Sequence, residues 1–363
     1  MKRRMRPALR WWIVAAVVIA AAVALSLYAI RKSPVAPSQG ERDAGANAAG
    51  PAAEGPGAAD AGAAPLSFEP LPEGDLHDPE PSFQVVLLPL KKLTIDGIST
   101  ARALAKTSFP GLRVQRGTTP VASRPALLVG EVNTPAISNE ELQVFGRGLN
   151  DALRGQVAPA RRSLVLEFHL EGAKVLPELR QSETLVRELA GAARAIIFDG
   201  ETHEYFTLAA WEDRRIAAWT GELPQVPQHV LIEASAHGRA QGSVTFGMSR
   251  FGLPDFVAGD YPPALRGALA TVLNLAAQTL VERGRVDSPG RLWLDIAHLQ
   301  EPHVREAMQK LMRGNARGRA ELLLGIAEVP QGDPHPRLIA VELGRGEAAR
   351  GSLEAILRGL FGP

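Results

Sequence analysis

The chain contains no cysteine, which excludes a disulfide framework, a thiolate metal site and a lipid-modified N-terminal Cys, and leaves the fold to its apolar core. Net charge is equally scarce. With 40 basic and 39 acidic residues the formal balance is +1, so the composition carries no polyanion footprint and nucleic acid is not an expected partner. No internal repeat of fixed period occurs, which argues against a solenoid or propeller. Nucleotide signatures are missing too. Gly344-Arg345-Gly346 lacks the third glycine of a dinucleotide fingerprint and no phosphate-loop pattern occurs, so no cofactor is expected.

What the sequence does have is a long apolar run at its N-terminus. Trp11 to Ile30 holds no charged residue and one serine, Ser26, and that length spans a hydrocarbon core as a helix. A helix satisfies its own backbone hydrogen bonds in lipid, and Trp11, Trp12 and Tyr28 sit near its ends, where amphipathic rings favour the headgroup layer. Lys2, Arg3, Arg4, Arg6 and Arg10 precede the run, whereas Arg31 and Lys32 follow it, a bias that keeps the N-terminus in the cytoplasm. The competing reading is a cleaved signal peptide, but the small-residue patterns Ala22-Val23-Ala24 and Ala24-Leu25-Ser26 fall inside the apolar run instead of after it. The sequence therefore predicts a bacterial inner-membrane protein with its C-terminal part in the periplasm or outside the cell. Residues 1–10 form a basic cytoplasmic tail and 11–30 a transmembrane helix in contact with the bilayer. Residues 31–81, rich in Ala, Gly and Pro, form a disordered linker that buries too little apolar surface to offset its chain entropy. Residues 82–363 form a soluble domain, in one piece or two lobes.

In that domain strands and helices interleave. Gln84 to Leu90 and Pro125 to Val132 read as strands, with a helix around Ser99 to Lys106 between them. Ser138 and Glu141 make a capping box for a helix striped by Leu142, Phe145, Leu149 and Leu153 and closed by Gly155. Ser163 to Leu170 alternates, with Leu164, Leu166, Phe168 and Leu170 on one face and a wet face opposite. Further helices are expected at Ser182 to Arg194, Phe206 to Trp219 and Pro262 to Arg283, the last the longest of the soluble part. Strands are expected at Ala195 to Phe198, at His229 to Ala236 paired with Ser243 to Met248, and at Leu292 to Ala297. Helix His303 to Arg313, a hairpin of Glu321 to Val329 with Leu338 to Leu343, and helix Ala348 to Phe361 complete the chain. This mixture predicts an α/β or α+β domain, a mixed sheet with packed helices. A boundary between lobes would fall near Phe198 to Thr202 or near Arg283 to Gly290.

The densest polar cluster is Asp199-Gly-Glu-Thr-His-Glu204, directly after an apolar strand, the place where open sheets put their sites. Asp199, Glu201, His203 and Glu204 are the candidate catalytic residues, since a His beside carboxylates can work as a general base. Their spacing fits no metal signature, so the favoured reading is a solvated turn in which Asp199 or Thr202 starts a helix. Gly247-Met-Ser249-Arg-Phe-Gly252 approaches the Gly-x-Ser-x-Gly nucleophile elbow, but its second glycine comes one residue late and Pro254 follows. It reads as a loop, with Arg250 placed to pair with Asp255 across it. His169 beside Glu167, and His298 and His303 around Pro302, read as surface, loop or cap residues.

Ile196 to Glu204 and Thr245 to Asp255 resemble motifs of membrane-anchored bacterial proteins with an α/β domain of unknown function. That resemblance implies no activity. The function expected is a single-pass, extracytoplasmic binding or interaction module for a protein or small molecule. The alternative is an extracytoplasmic hydrolase or metal-dependent enzyme built on Asp199, Glu201, His203 and Glu204.

Overall fold

The computed structural model describes residues 69–362 except 118–120, 122, 147, 238–239, 287, 312–317, 328–336 and 344–351. The expected transmembrane helix and the linker as far as residue 68 lie outside the described residues. The linker expected to reach residue 81 ends earlier, because Glu69 to Pro81 is a strap laid along the domain. Its backbone is paired: Leu71 N–H donates to Leu324 O (3.0 Å), Gly290 N–H donates to Leu71 O (2.7 Å), and β1 (Gly74–Asp75) runs antiparallel to β11 (Arg285–Val286). Leu71 and Leu76 are buried, and their burial offsets the entropy of ordering the strap. Two leucines scattered among prolines and glycines leave no periodicity for a sequence reading to find.

Two six-stranded sheets carry the rest. The N-terminal sheet contains β2 (Ser82–Pro89), β3 (Arg113–Arg116), β4 (Ala126–Thr134), β5 (Arg161–His169), β6 (Ala195–Asp199) and β7 (Tyr205–Phe206), ordered β3-β4-β5-β2-β6-β7. All its pairs are antiparallel except β3 with β4. The alternation read in β5 is observed in part: Leu164, Leu166, Phe168 and the following Leu170 are fully buried and Val165, Glu167 and His169 half-buried, but Ser163, expected on the wet face, is fully buried as well. Helices α1 (Gly97–Ser108) and α4 (Val175–Ala193) contact this sheet and each other. Asp96 caps α1 by accepting from Ser99 N–H (2.7 Å), which satisfies one orphan donor of its first turn.

The helix expected from Ser138 to Gly155 is two helices, α2 (Asn139–Val144) and α3 (Asp151–Val157). Ser138 caps the first as predicted, accepting from Glu141 N–H (3.0 Å). Asn150, however, accepts from Leu153 N–H (2.9 Å) and starts a second helix, and Gly155 lies inside it. Leu142, Leu149 and Val157 from this pair cover Val86, Leu88 and Ile196 on the outer face of the sheet.

The C-terminal sheet contains β8 (Leu231–His237), β9 (Ala240–Phe246), β10 (Asp255–Tyr261), β12 (Arg291–Asp295), β13 (Arg319–Ile326) and β14 (Leu338–Glu342), ordered β12-β13-β14-β10-β9-β8. Its pairs are antiparallel except β10 with β14. Between the sheets, Phe206 to Trp219 is not the single helix expected. Phe206 belongs to β7, α5 (Leu208–Trp211) is one turn capped by Thr207, and Glu212–Ile216 is a π-helical turn. The changeover between sheets therefore falls between Phe206 and Leu231, away from both boundaries the composition suggested.

Helix α6 (Arg266–Arg283) follows β10 and is one residue shorter than the 19-residue α4. With the turn before it, Pro263–Arg283 has the length and apolar composition to cross a membrane, yet its most apolar 18-residue stretch is 56% buried inside the fold. It is a core helix, with Leu269, Val272, Leu273, Leu275, Ala276 and Leu280 fully buried. Gly284 ends it at φ +69°, and a Cβ there would lie 1.9 Å from the His77 ring of the strap. Helices α7 (Pro302–Leu311) and α8 (Leu353–Phe361) complete a mixed α/β architecture of three sheets and eight helices among the described residues. One buried apolar cluster takes in side chains from both large sheets, including Val85, Leu166 and Ile197 with Phe256, Leu294 and Leu322.

Candidate functional site

Asp199 and its neighbours do not form a solvated turn. Asp199 closes β6 with its side chain fully buried between two equally buried arginines. Arg250 Nη2 donates to both of its oxygens (2.7 and 2.8 Å), and Arg215 Nη2 donates to Oδ2 (2.8 Å). Arg250 does not pair with Asp255, as the loop reading expected. That carboxyl instead accepts from Thr245 Oγ1 (2.9 Å) and Met248 N–H (3.2 Å).

Each arginine is placed by a local device. On the π turn Arg214 reaches Glu204 (2.8 Å) while Arg215 points inward to Asp199. Arg250 lies on a short 3-10 turn, Met248–Phe251, bounded by Gly247 at φ +111° and Gly252 at φ +70°. A Cβ on Gly247 would come within 2.7 Å of His229 O, so glycine is required for the turn to lie this close. Ser249 on the same turn donates to Glu201, whose other oxygen accepts from Gln84 N–H (3.3 Å). The near-match to a nucleophile elbow is therefore a turn that ties the two sheets together.

Further residues close the cluster. Glu183 stands on the buried stripe Leu179, Glu183, Val186, Ala190 of α4. Its carboxyl lies 3.0 Å from His229 Nδ1 and 3.7 Å from Arg250 Nη1, and it accepts from Trp219 Nε1 (2.8 Å). Trp211 Nε1 donates to the Glu183 carbonyl (3.1 Å). His203 goes elsewhere: at φ +58° its ring sits among Phe145, Phe198 and Phe246, with centroids 5.5 to 6.4 Å apart. The structure thus joins Asp199 and Glu204 through Arg215, ties Glu201 to Ser249, and sends His203 to an aromatic setting.

Burial works against the charged form of Asp199, but the guanidinium groups of Arg250 and Arg215 outweigh it and hold the carboxyl well below the usual carboxylate range. For Arg250, burial is outweighed by Asp199 and Glu183, and its affinity for the proton is raised. For Arg215, burial dominates over the attraction of Asp199, and its affinity is lowered. Burial raises Glu201 against the opposing Ser249 hydrogen bond and lowers His229 against Glu183. Asp255 is pushed up by burial to about 7.

The side chains of Asp199, Glu183, Arg215, Arg250 and His229 are fully buried, and the acids stand against the arginines. Among the described residues no group of three or more His, Asp or Glu side chains is arranged to hold a metal ion. No protein-family profile, curated protein or solved structure matches the chain. The sequence reading missed Glu183, Arg215 and His229, although a signal existed: Glu183 and Arg215 each occupy an apolar helical stripe, where a charge needs a buried partner. It had singled out both Ile196 to Glu204 and Thr245 to Asp255. These are the two segments that the Asp199–Arg250 and Glu201–Ser249 contacts bring together.

The N-terminal sheet carries an open cavity of about 490 Å³, lined by Gln84, Leu128, Gly130, Val132, Val165 and Glu167, with Arg116, Glu131 and Arg162 at its rim. Its hollow arises where glycines face each other across β3 and β4, since a Cβ on Gly117 would lie 3.4 Å from Gly130 Cα. Helices α2 and α3 cover the β2 and β6 side of this sheet and leave the β4 side open. Glu131 is paired with Arg162, and Glu167 with His169 (3.0 Å).

Proposed function

We propose that the chain is a single-pass, membrane-anchored, extracytoplasmic binding module that presents the groove of its N-terminal sheet to a partner. The observation that carries this reading is the division of labour among polar residues. Asp199, Glu183, Arg215 and Arg250 are buried against one another as a brace, while the open concavity combines apolar Leu128, Val132 and Val165 with charged Arg116, Glu131, Arg162 and Glu167, a mixture of surfaces suited to recognition. The anchor and the side of the membrane rest on the apolar run 11–30 and its flanking charges. The alternative, a hydrolase or metal-dependent enzyme using Asp199, Glu201, His203 and Glu204, requires the brace to open.

A photo-crosslinking residue in place of Val132 tests the reading in the full-length membrane protein. Adducts of defined mass are expected from this position in excess of those from Leu208, which is 38% exposed away from the groove. Equal labelling at both positions refutes the module reading. Turnover of ester or phosphate substrates that is abolished by Asp199→Asn would favour the enzyme.

A further inference from the structure

Resting on the membrane-anchored reading, we infer that the strap is a releasable length of the tether, which peels from the domain under load and stops at β2. The path of the chain carries this. Glu69 to Asp78 crosses the C-terminal half before the chain enters the N-terminal sheet. Along that path Ile326 N–H donates to Glu69 O (2.9 Å), Leu76 N–H donates to Gly284 O (2.9 Å), Asp78 N–H donates to Gly252 O (2.7 Å), and Arg337 Nη2 donates to Leu76 O (2.7 Å). Contact with the other half comes at its end, where Gly172 N–H donates to Pro79 O (3.1 Å) and Arg124 meets Glu80 (2.9 Å). A pull from the membrane side therefore reaches Glu69 first and loads these bonds one after another.

The hold on the chain changes sharply at β2. Between Glu69 and Glu80 the buried residues are Leu71 and Leu76, whereas β2 is paired on both sides, by β5 and β6, with Val85 and Leu87 fully buried. A segment with few buried apolar contacts opens before the core does, so peeling has a defined stop. The bed of the strap is cut to fit it. A Cβ on Gly290 would lie 2.9 Å from Pro70 Cβ, and one on Gly172 would lie 2.5 Å from Asp78 O, which fixes one register for the strap when it returns. Release adds up to about 40 Å of extended chain, residues 69–79 at about 3.6 Å each. It also moves the point of attachment from β13 to β2, on the sheet that carries the groove. The groove is then presented farther from the bilayer and about a new pivot.

Stretching the full-length protein in micelles between handles attached at Ser38 and Pro363 tests this. The expected trace has a first, reversible lengthening of no more than about 40 Å, at a lower force than the unfolding of the rest. Because the chain has no cysteine, one added pair is unambiguous. Asp75→Cys and Arg285→Cys stand opposite each other in the β1–β11 register, at a separation that a disulfide bridges. The oxidised pair should erase the first step and reductant should restore it, with the main unfolding event present throughout. Gly290→Ala crowds Pro70 and should lower the force of the first step alone. One-step unfolding of the wild type, a first step that survives the oxidised pair, or a Gly290→Ala trace identical to wild type overturns the inference. The Val132 crosslink reads the module without load, so its loss strikes the anchored module, while the release step is judged by the traces alone.

Discussion

Replacing Asp199 by alanine is the sharpest perturbation of the brace. On the surface such a change would alter stability by no more than about 0.5 kcal/mol. Here it removes the acceptor of three hydrogen bonds from Arg250 and Arg215 and leaves two guanidinium groups in a site with no exposed atoms. Breaking a buried pair from one side costs about 3–5 kcal/mol, because the orphaned charge keeps its desolvation penalty. In a domain of this size that lowers the melting temperature by roughly 6–20 °C. Asp199→Asn keeps the shape and one acceptor and should fall between alanine and wild type. Urea unfolding of the full chain, followed by the fluorescence of Trp211 and Trp219 against Glu183, reads the loss directly. His203→Ala is the comparison, since the His203 ring sits among aromatic side chains. A loss below about 1 kcal/mol for Asp199→Ala would refute the idea that the cluster is a buried ionic brace.

The remaining predictions concern pH, the strap and the address. Because the Asp255 carboxyl is raised in the folded state to about 7 from 3.8, its contribution is full below about pH 4 and is lost as pH rises through 7, at about 1.4 kcal/mol per unit. Denaturation of Asp255→Asn should show a flatter fall between pH 4 and 8 than wild type, and an unchanged slope would contradict the assignment. Deleting residues 69–79 removes the burial of Leu71 and Leu76 and should destabilise the protein by roughly 3–6 kcal/mol. Equal urea midpoints with and without the strap would show that it is ornamental. Reporter fusions at Pro363 are expected to be active only outside the cytoplasm, following the five basic residues before Trp11 and the two after Ile30. Cytoplasmic activity would reverse the proposed topology.

Local chemistry in the sequence determined most elements. The alternation of Leu164, Leu166 and Phe168 requires one buried face whatever packs on it, and Ser138 caps a helix through a hydrogen bond three residues away. Gly284 after an apolar stripe ends α6 for an equally local reason. Element type was legible there because period and cap span only a few residues. The split of α2 from α3 was less visible, since one apolar stripe serves two short helices as well as one long one. The strap was hidden because its partners, Gly284, Gly290 and Leu324, lie more than two hundred residues away.

The fate of the polar cluster was decided only by tertiary structure. Asp199-Gly-Glu-Thr-His-Glu204 contains no arginine, and read alone its charges can be satisfied only by water. What buries Asp199 is Arg250, 51 residues on, with Arg215, 16 residues on, and no local pattern states which distant cation a carboxylate will meet. The sequence by itself singled out two segments, Ile196 to Glu204 and Thr245 to Asp255, and held, unread, charges on apolar helical stripes at Glu183 and Arg215. Packing of one sheet against the other determined that those charges face each other. Once they are out of water, the cost of an unpaired ion makes that pairing obligatory.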